Sequence, residues 1–219
     1  MVQWNNVRYD NERYAMIEPK SSKESILMRY STDQKVKARR SIIESGAKVL
    51  KTGGFAGVGV DQVAAAAGVT SGSLYSNFSG KEDLLKEIIG EYLGAPYTDA
   101  REGDDIDWHA RLKGFLTGYI SSYHRDNPAG GCVMPALSAD VSRASAGVRR
   151  AYQQRMNDLI DKIARALEGG SRRQRRERAW SIVALMVGSL TVARALPAGD
   201  EADEMVKSAF QSAMDLLSK

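Results

Sequence analysis

Residues 54–85 read GFAGVGVDQVAAAAGVTSGSLYSNFSGKEDLL, and the punctuation of this stretch decides how the chain is built. From about Val60 to Ala67 the run suits a short helix, which Gly68-Val69 closes. Gly59 stands at its N-cap, where Ser or Thr is the better residue. Thr70 then opens another helix of little more than a turn or two, through Asn77, with Leu74 and Phe78 pointing inward. A helix this short is marginal in water by itself, so neighbours must clamp it. Ser79-Gly80-Lys81-Glu82 has the form of a capping box, and Leu84, Leu85, Ile88, Ile89 and Tyr92 give the next helix one apolar face.

Toward the N-terminus, Val36, Ile43, Ala47 and Leu50 recur at helical spacing. They predict a first amphipathic helix over about 33–52, capped by Ser31 with Gln34 and stopped by Gly53-Gly54. A long helix, a short one, a tight turn, a second short helix of small polar residues and a capped helix together make a helix-turn-helix. Between Arg29 and Lys51 stand seven cations against Asp33 and Glu44, a surplus of five that exceeds the +4 of the whole chain. Cations beside a helix of Thr, Ser, Gly and Asn suit DNA, because they neutralise phosphates while small side chains let the backbone approach a groove. Residues 1–30 show no sustained period and are expected to be an extension, flexible or loosely attached.

The fixed order Ala-Gly-Val, a hydroxyl residue, Leu74-Tyr75, Phe78 and Lys81-Glu82-Asp83-Leu84 resembles the DNA-binding domain of the tetracycline-repressor (TetR) family over about 36–96. Gly57 and Gly59 depart from that family's Thr/Ser-rich entry to the second helix. The resemblance implies a three-helix reader, a connecting fourth helix, a helical C-terminal domain over 105–219 that binds an effector and dimerises, and transcriptional control, usually repression. Carried over by position, it makes 70–77 the recognition helix. Thr70 caps it and approaches a phosphate, Ser71, Ser73 and Ser76 face the major groove beside Asn77, and Gly72 permits close backbone approach. Tyr75 and Lys81 would hold phosphates, Gln62 a base or the backbone, and Arg39 belongs with the cations of the first helix.

In the second half, an acidic segment after Pro96 leads into Trp108, Leu112, Phe115, Leu116, Tyr119, Ile120 and Tyr123 at helical spacing. This aromatic stripe packs a core or walls an effector pocket; for the pocket the candidates are Trp108, Phe115, Tyr119, Tyr123, His124, Met134, Met156 and Trp180. Cys132 reads as a small buried hydrophobe, and the arginines from Arg172 to Arg178 as a solvated connection before a helix. Ile182, Leu185, Met186, Ser189 and Ala193 on one late helix, with Phe210, Met214 and Leu217 on the last, are candidates for a twofold four-helix dimer interface. A monomer packing the same faces internally remains open.

The expected fold is all-α: an N-terminal helix-turn-helix DNA-binding domain and a C-terminal helical ligand-binding and dimerisation domain. The expected partners are a near-palindromic double-stranded DNA operator, a small organic effector and a second copy of the chain. One cysteine and two histidines provide no thiolate zinc site or metal spacing, and no Ser/His/Asp grouping or phosphate-cradling loop stands out, so catalytic residues, metals and cofactors are not expected. The uncharged run Ala179–Ala193 is short for a membrane span and Met1–Asn6 has no signal-peptide form, which points to the cytoplasm without a membrane partner. The alternative is a helical small-molecule-binding protein without DNA affinity.

Overall fold

The computed structural model describes residues 23–95, 97–99 and 106–218. Among these, ten α-helices follow one another with no strand. Helix α1 spans Lys23–Gly57, longer than 33–52 at both ends. Its first turns carry helix-forming residues without an apolar stripe, so propensity rather than periodicity explains them. The expected extension is therefore helical from Lys23 onward, while 1–22 lie outside the described residues. Because the helix runs through Ser31, that residue is no cap. Val36 is 61% exposed, and the inward stripe is Ile42, Ile43, Ala47 and Leu50. Gly54 breaks the helix with a positive φ of 72°, a conformation that glycine takes without a Cβ clash.

Three helices close against the C-terminal half of α1: α2 (Val60–Ala66), α3 (Ser71–Asn77) and α4 (Lys81–Tyr92). Val63, Leu74, Phe78, Leu84, Leu85 and Ile88 are buried with the α1 stripe in one core. At the crossing of α1 and α4, a Cβ on Gly46 would stand 3.2 Å from Leu84 and 3.3 Å from Ile88, which makes the small residue part of the close packing. The capping box expected at Ser79 and Glu82 is displaced by one residue. Gly80 is the N-cap of α4, the Ser79 amide donates to Asp83 Oδ2 at 3.1 Å, and Glu82 instead accepts from the Ser145 amide at 3.1 Å. Glu82 is drawn to a tertiary donor, and Asp83 takes over the local one.

The remaining helices are α5 (Trp108–Tyr119), α6 (Ser122–Asp126), α7 (Met134–Arg143), α8 (Ala146–Ala166), α9 (Arg172–Ala195) and α10 (Asp200–Leu217). Asp107 caps α5 by accepting from the Ala110 amide at 2.9 Å. Helix α4 packs on α8 and α1 on α7, so the core runs without a break from the four-helix head into the body. Tyr97 and Thr98 are buried in that junction, and the Phe55 amide donates to Asp140 Oδ2 at 3.1 Å. Arg172 to Arg178 form the first turns of α9 instead of preceding it. Cations are unfavourable at this positive helix end. Arg175 and Arg178 offset that by donating to the carbonyls of Gly170, Glu168 and Gly169, and Arg173 pairs with Glu177 and Arg176 with Asp161.

Candidate nucleic-acid interface and the cleft of the body

Helix α3 starts where Thr70 Oγ1 accepts from the Ser73 amide at 3.1 Å. Leu74 is fully buried and Phe78 is 2% exposed, while Tyr75 on the same short helix is 59% exposed. One seven-residue helix therefore has an anchored side and an open side, and Thr70, Gly72, Tyr75 and Ser76 belong to the open one. Its other polar residues are partly committed within the head. Ser71 Oγ donates to Asp61 Oδ1 at 2.5 Å, and Ser76 Oγ and Asn77 Nδ2 both donate to the Ser73 carbonyl at 2.8 Å. Such back-bonds hold serines and asparagine in helical register.

Three of the predicted contact residues hold the head together. Arg39 donates to the Asn77 carbonyl at 2.8 Å, pairs with Glu87 at 3.1 Å and lies 4.4 Å from the Phe78 ring centroid, which joins α1, α3 and α4. Gln62 Oε1 accepts from the Gly59 amide at 2.7 Å and so supplies from inside α2 the cap that Gly59 lacks. The Lys81 ammonium donates to the Phe55 carbonyl and sits 4.3 Å from the Phe55 ring centroid. Desolvation there lowers its pKa, against the raising influence of Asp140. Lys35, Lys37 and Lys48 remain exposed on α1.

The eight candidates for an effector wall divide between the buried core and the surface. Tyr97, Phe115, Tyr119 and His124 form a chain of contacting rings with centroids 4.8, 5.6 and 4.6 Å apart, and Trp108 meets Tyr97 edge-on at 6.2 Å. Phe115, Tyr119, His124, Met134 and Met156 are buried, whereas Tyr123 and Trp180 are exposed at 59% and 46%. His124 Nδ1 donates to the Tyr119 carbonyl at 2.8 Å while Nε2 accepts from the Cys132 amide at 3.0 Å, a pattern that assigns the neutral tautomer. Burial pushes its pKa down to about 4. A Cβ on Gly131 would stand 2.2 Å from His124 Nε2, so glycine is required for that approach. Cys132 is buried, as a small hydrophobe would be.

A cleft of about 550 Å³ opens elsewhere, between the C-terminal end of α1 and the ends of α6, α7 and α9, and none of the eight candidates lines it. Lys51, Arg125 and Arg194 face it with Thr52, Asp126 and Thr191. Lys51 is only 8% exposed and donates to the Gly131 carbonyl at 2.7 Å. Arg194 donates to the carbonyls of Arg125 and His124 at 3.0 and 2.7 Å. The available sequence signal was a lysine following Leu50 and four residues after Ala47, on the apolar stripe of α1.

Most of the expected dimer face is turned inward. Ile182, Met186, Ser189, Ala193 and Leu217 are 0–3% exposed, and Leu185, Phe210 and Met214 are half-buried. They serve the packing of α9 against α8 and α10 within one chain. The open side of α9 is instead the i, i+4 ridge Trp180, Ala184, Gly188 and Val192, continued by Leu196 beyond its end. The uncharged stretch of α9, 179–193, has apolar residues all round and so offers two faces, and periodicity does not say which one the chain covers itself.

A short, outward helix clamped in a helical head and joined to a larger helical body defines a DNA-binding transcriptional regulator. The chain belongs to the TetR family: the model described as "Bacterial regulatory proteins, tetR family" matches residues 42–88, and "Tetracyclin repressor-like, C-terminal domain" matches residues 109–209. Among similar sequences, the HTH-type transcriptional repressor NemR of Escherichia coli K12 is 23% identical over 135 residues, 60% of this chain and 68% of its own. The repressor DhaR of Mycobacterium sp. GP1 is 26% identical over 143 residues, covering 62% and 70%. The transcriptional regulator AcuR of Cereibacter sphaeroides is 30% identical over 133 residues, covering 56% and 61%. The crystal structure of reduced E. coli NemR superposes with a TM-score of 0.65 at 19% identity, covering 81% of this chain and 95% of that one. A regulatory protein TetR from Rhodobacter sphaeroides gives 0.66 at 21%, covering 82% and 98%.

Proposed function

We propose that this regulator is a dimeric, cytoplasmic repressor that holds a near-palindromic duplex operator and leaves it when a small organic effector binds the body. The observation that carries the reading is α3 itself: Leu74 and Phe78 are buried beneath an open side of hydroxyls, glycine and Tyr75. Thr70, Gly72, Tyr75 and Ser76 approach the duplex directly, Ser71, Ser73 and Asn77 complete the helix face, and Gln62 flanks it. Tyr75 contributes a phosphate contact. Arg39 acts mainly by positioning α3, and Lys81 reaches a phosphate by leaving the Phe55 carbonyl. Such contacts fix register on DNA more than sequence.

Dimerisation supplies the second reader. The Trp180–Val192 ridge, with Ala184 and Gly188 small enough for close approach, is the proposed interface, flanked by half-buried Leu185, Phe210 and Met214. Twofold symmetry then sets two copies of α3 about 34 Å apart, one groove repeat. The similarity to NemR and DhaR, both transcriptional repressors, supports repression as the direction of control. No cofactor, metal or catalytic step enters this reading. The test is a footprint on DNA upstream of the gene. One protected near-palindrome is expected, with Tyr75→Ala weakening binding about tenfold at an unchanged salt slope, because a neutral phenol releases no counter-ion. Unchanged binding of that variant would remove α3 from the interface.

A further inference from the structure

We infer that the cleft joining the end of α1 to α9 is the site of an organic carboxylate, held by Lys51 and Arg194 with its hydrocarbon body on the prolines and alanines of the rim. This deepens the effector reading above, on which its regulatory meaning rests. The charge arrangement points to an anion. Arg125, the third cation of the cleft, is already satisfied: it pairs with Asp126 at 2.7 Å and with Asp203 at 2.5 Å. Lys51 donates to a carbonyl and lies 5.7 Å from the Tyr92 ring centroid, Arg194 donates to two carbonyls and feels Asp126 only at longer range, and among the described residues neither has a carboxylate within salt-bridge distance. Two desolvated cations therefore face one cleft without a directly paired carboxylate, an arrangement that is costly unless something negative completes it. Burial lowers both pKa values, that of Lys51 to about 8, and Lys48 and Arg194 add to the effect on Lys51.

The walls select the kind of anion. Lys51 is recessed, so a duplex phosphate or a membrane headgroup plane does not reach it, whereas a small molecule does. Pro128, Pro135, Ala136 and Ala198 supply apolar surface beside the cations. The volume of about 550 Å³ lies within the range of about 300–1,000 Å³ usual for small-molecule sites. A carboxylate matches the donor fork that Arg194 retains and the free N–H groups of the Lys51 ammonium. Lys51 and Thr52 belong to α1, and Thr191 and Arg194 to α9. A bound acid thus ties the helix that carries the reading head to the helix that carries the proposed dimer ridge, and this gives it differential affinity for two head positions.

The experiment measures the thermal unfolding midpoint of the full chain, without DNA, in the presence of hexanoate, benzoate, hexanol, benzamide or inorganic phosphate. Hexanoate or benzoate should raise the midpoint with saturating concentration dependence, as a ligand specific for the folded state must. The neutral analogues should not. Lys51→Met should weaken carboxylate binding about tenfold or more, because a charge-assisted contact is lost. Ala198→Glu, on the exposed loop after α9, should abolish it by supplying a competing carboxylate without touching the core. The inference is overturned if neither acid shifts the midpoint, if hexanol and benzamide match the acids, if phosphate matches hexanoate, or if Ala198→Glu binds as before. A gel shift on the footprinted operator separates the two readings. Carboxylate binding by a protein with no duplex affinity sinks the repressor and keeps the site, and operator binding with no carboxylate response does the reverse.

Discussion

Helix α3 and the α1–α9 cleft, the two places where partners are proposed, are built in opposite ways. Helix α3 carries no charge and exposes hydroxyls and a phenol over a fully apolar anchor. Its nearest cation, Arg39, is tied to the Asn77 carbonyl and to Glu87. The cleft hides its charge, with Lys51 and Arg194 donating to carbonyl oxygens and neither paired directly with a carboxylate. The difference follows from the partners proposed. A duplex is a large, already charged surface that needs shape and a few hydrogen bonds from the reading helix, with lysines at a distance for the phosphates. A small acid has to be identified by its charge, and charge discriminates best where water is excluded.

Breaking the anchor of α3 should have the largest effect. Phe78→Ala is expected to cost about 3–5 kcal/mol in chemical denaturation, the usual loss for a buried phenylalanine. Tyr75→Ala, three residues earlier, should stay within about 0.5 kcal/mol of the parent in the same assay while losing operator affinity. Equal destabilisation by the two would erase the distinction between the anchored and open sides of α3.

Acid sharpens the contrast from the side of the body. The folded-state pKa of His124, pushed down to about 4, lies below the value of 6.5 expected of the unfolded chain. As pH falls, the unfolded chain takes the proton first, so this contribution to stability is complete above pH 6.5 and is lost progressively toward pH 4. At about 1.4 kcal/mol per pKa unit the loss is on the order of 3 kcal/mol. Denaturation midpoints measured across that window check it, and a His124→Gln variant should flatten the pH dependence.

Smaller effects separate assembly from folding. Gly188→Arg on the open side of α9 should convert a dimer to a monomer in sedimentation, with helix content kept, because no atom outside its own helix lies within 4 Å of a Cβ there. A dimer that survives the substitution moves the interface off the ridge. Thr70→Ala should cost about 1 kcal/mol for a lost N-cap, well below the loss for Phe78→Ala, seen as a modest drop in both stability and operator binding.

The head was the more legible half. The cap at Thr70, the break at Gly54, the burial of Phe78 and the exposure of Tyr75 all follow from residues close together in the chain. What escaped within it were the side chains that reach across elements: Glu82 leaving its own helix for Ser145, Arg39 stapling α3, and Lys81 folded onto Phe55. In the body, the helices stood roughly where periodicity put them, yet Tyr123 and Trp180 faced solvent and Ile182 and Met186 faced inward.

What the amino-acid order determined alone was the set of helices, the reading unit and its family, because caps, glycine breaks and apolar spacing act within a few residues. Which face of α9 is left open, which rings fill the body and where two buried cations meet were decided by tertiary packing. Lys51 and Arg194 come together from opposite ends of the chain. Burial and charge compensation are properties of the neighbourhood a side chain ends up in, and no local pattern encodes that neighbourhood.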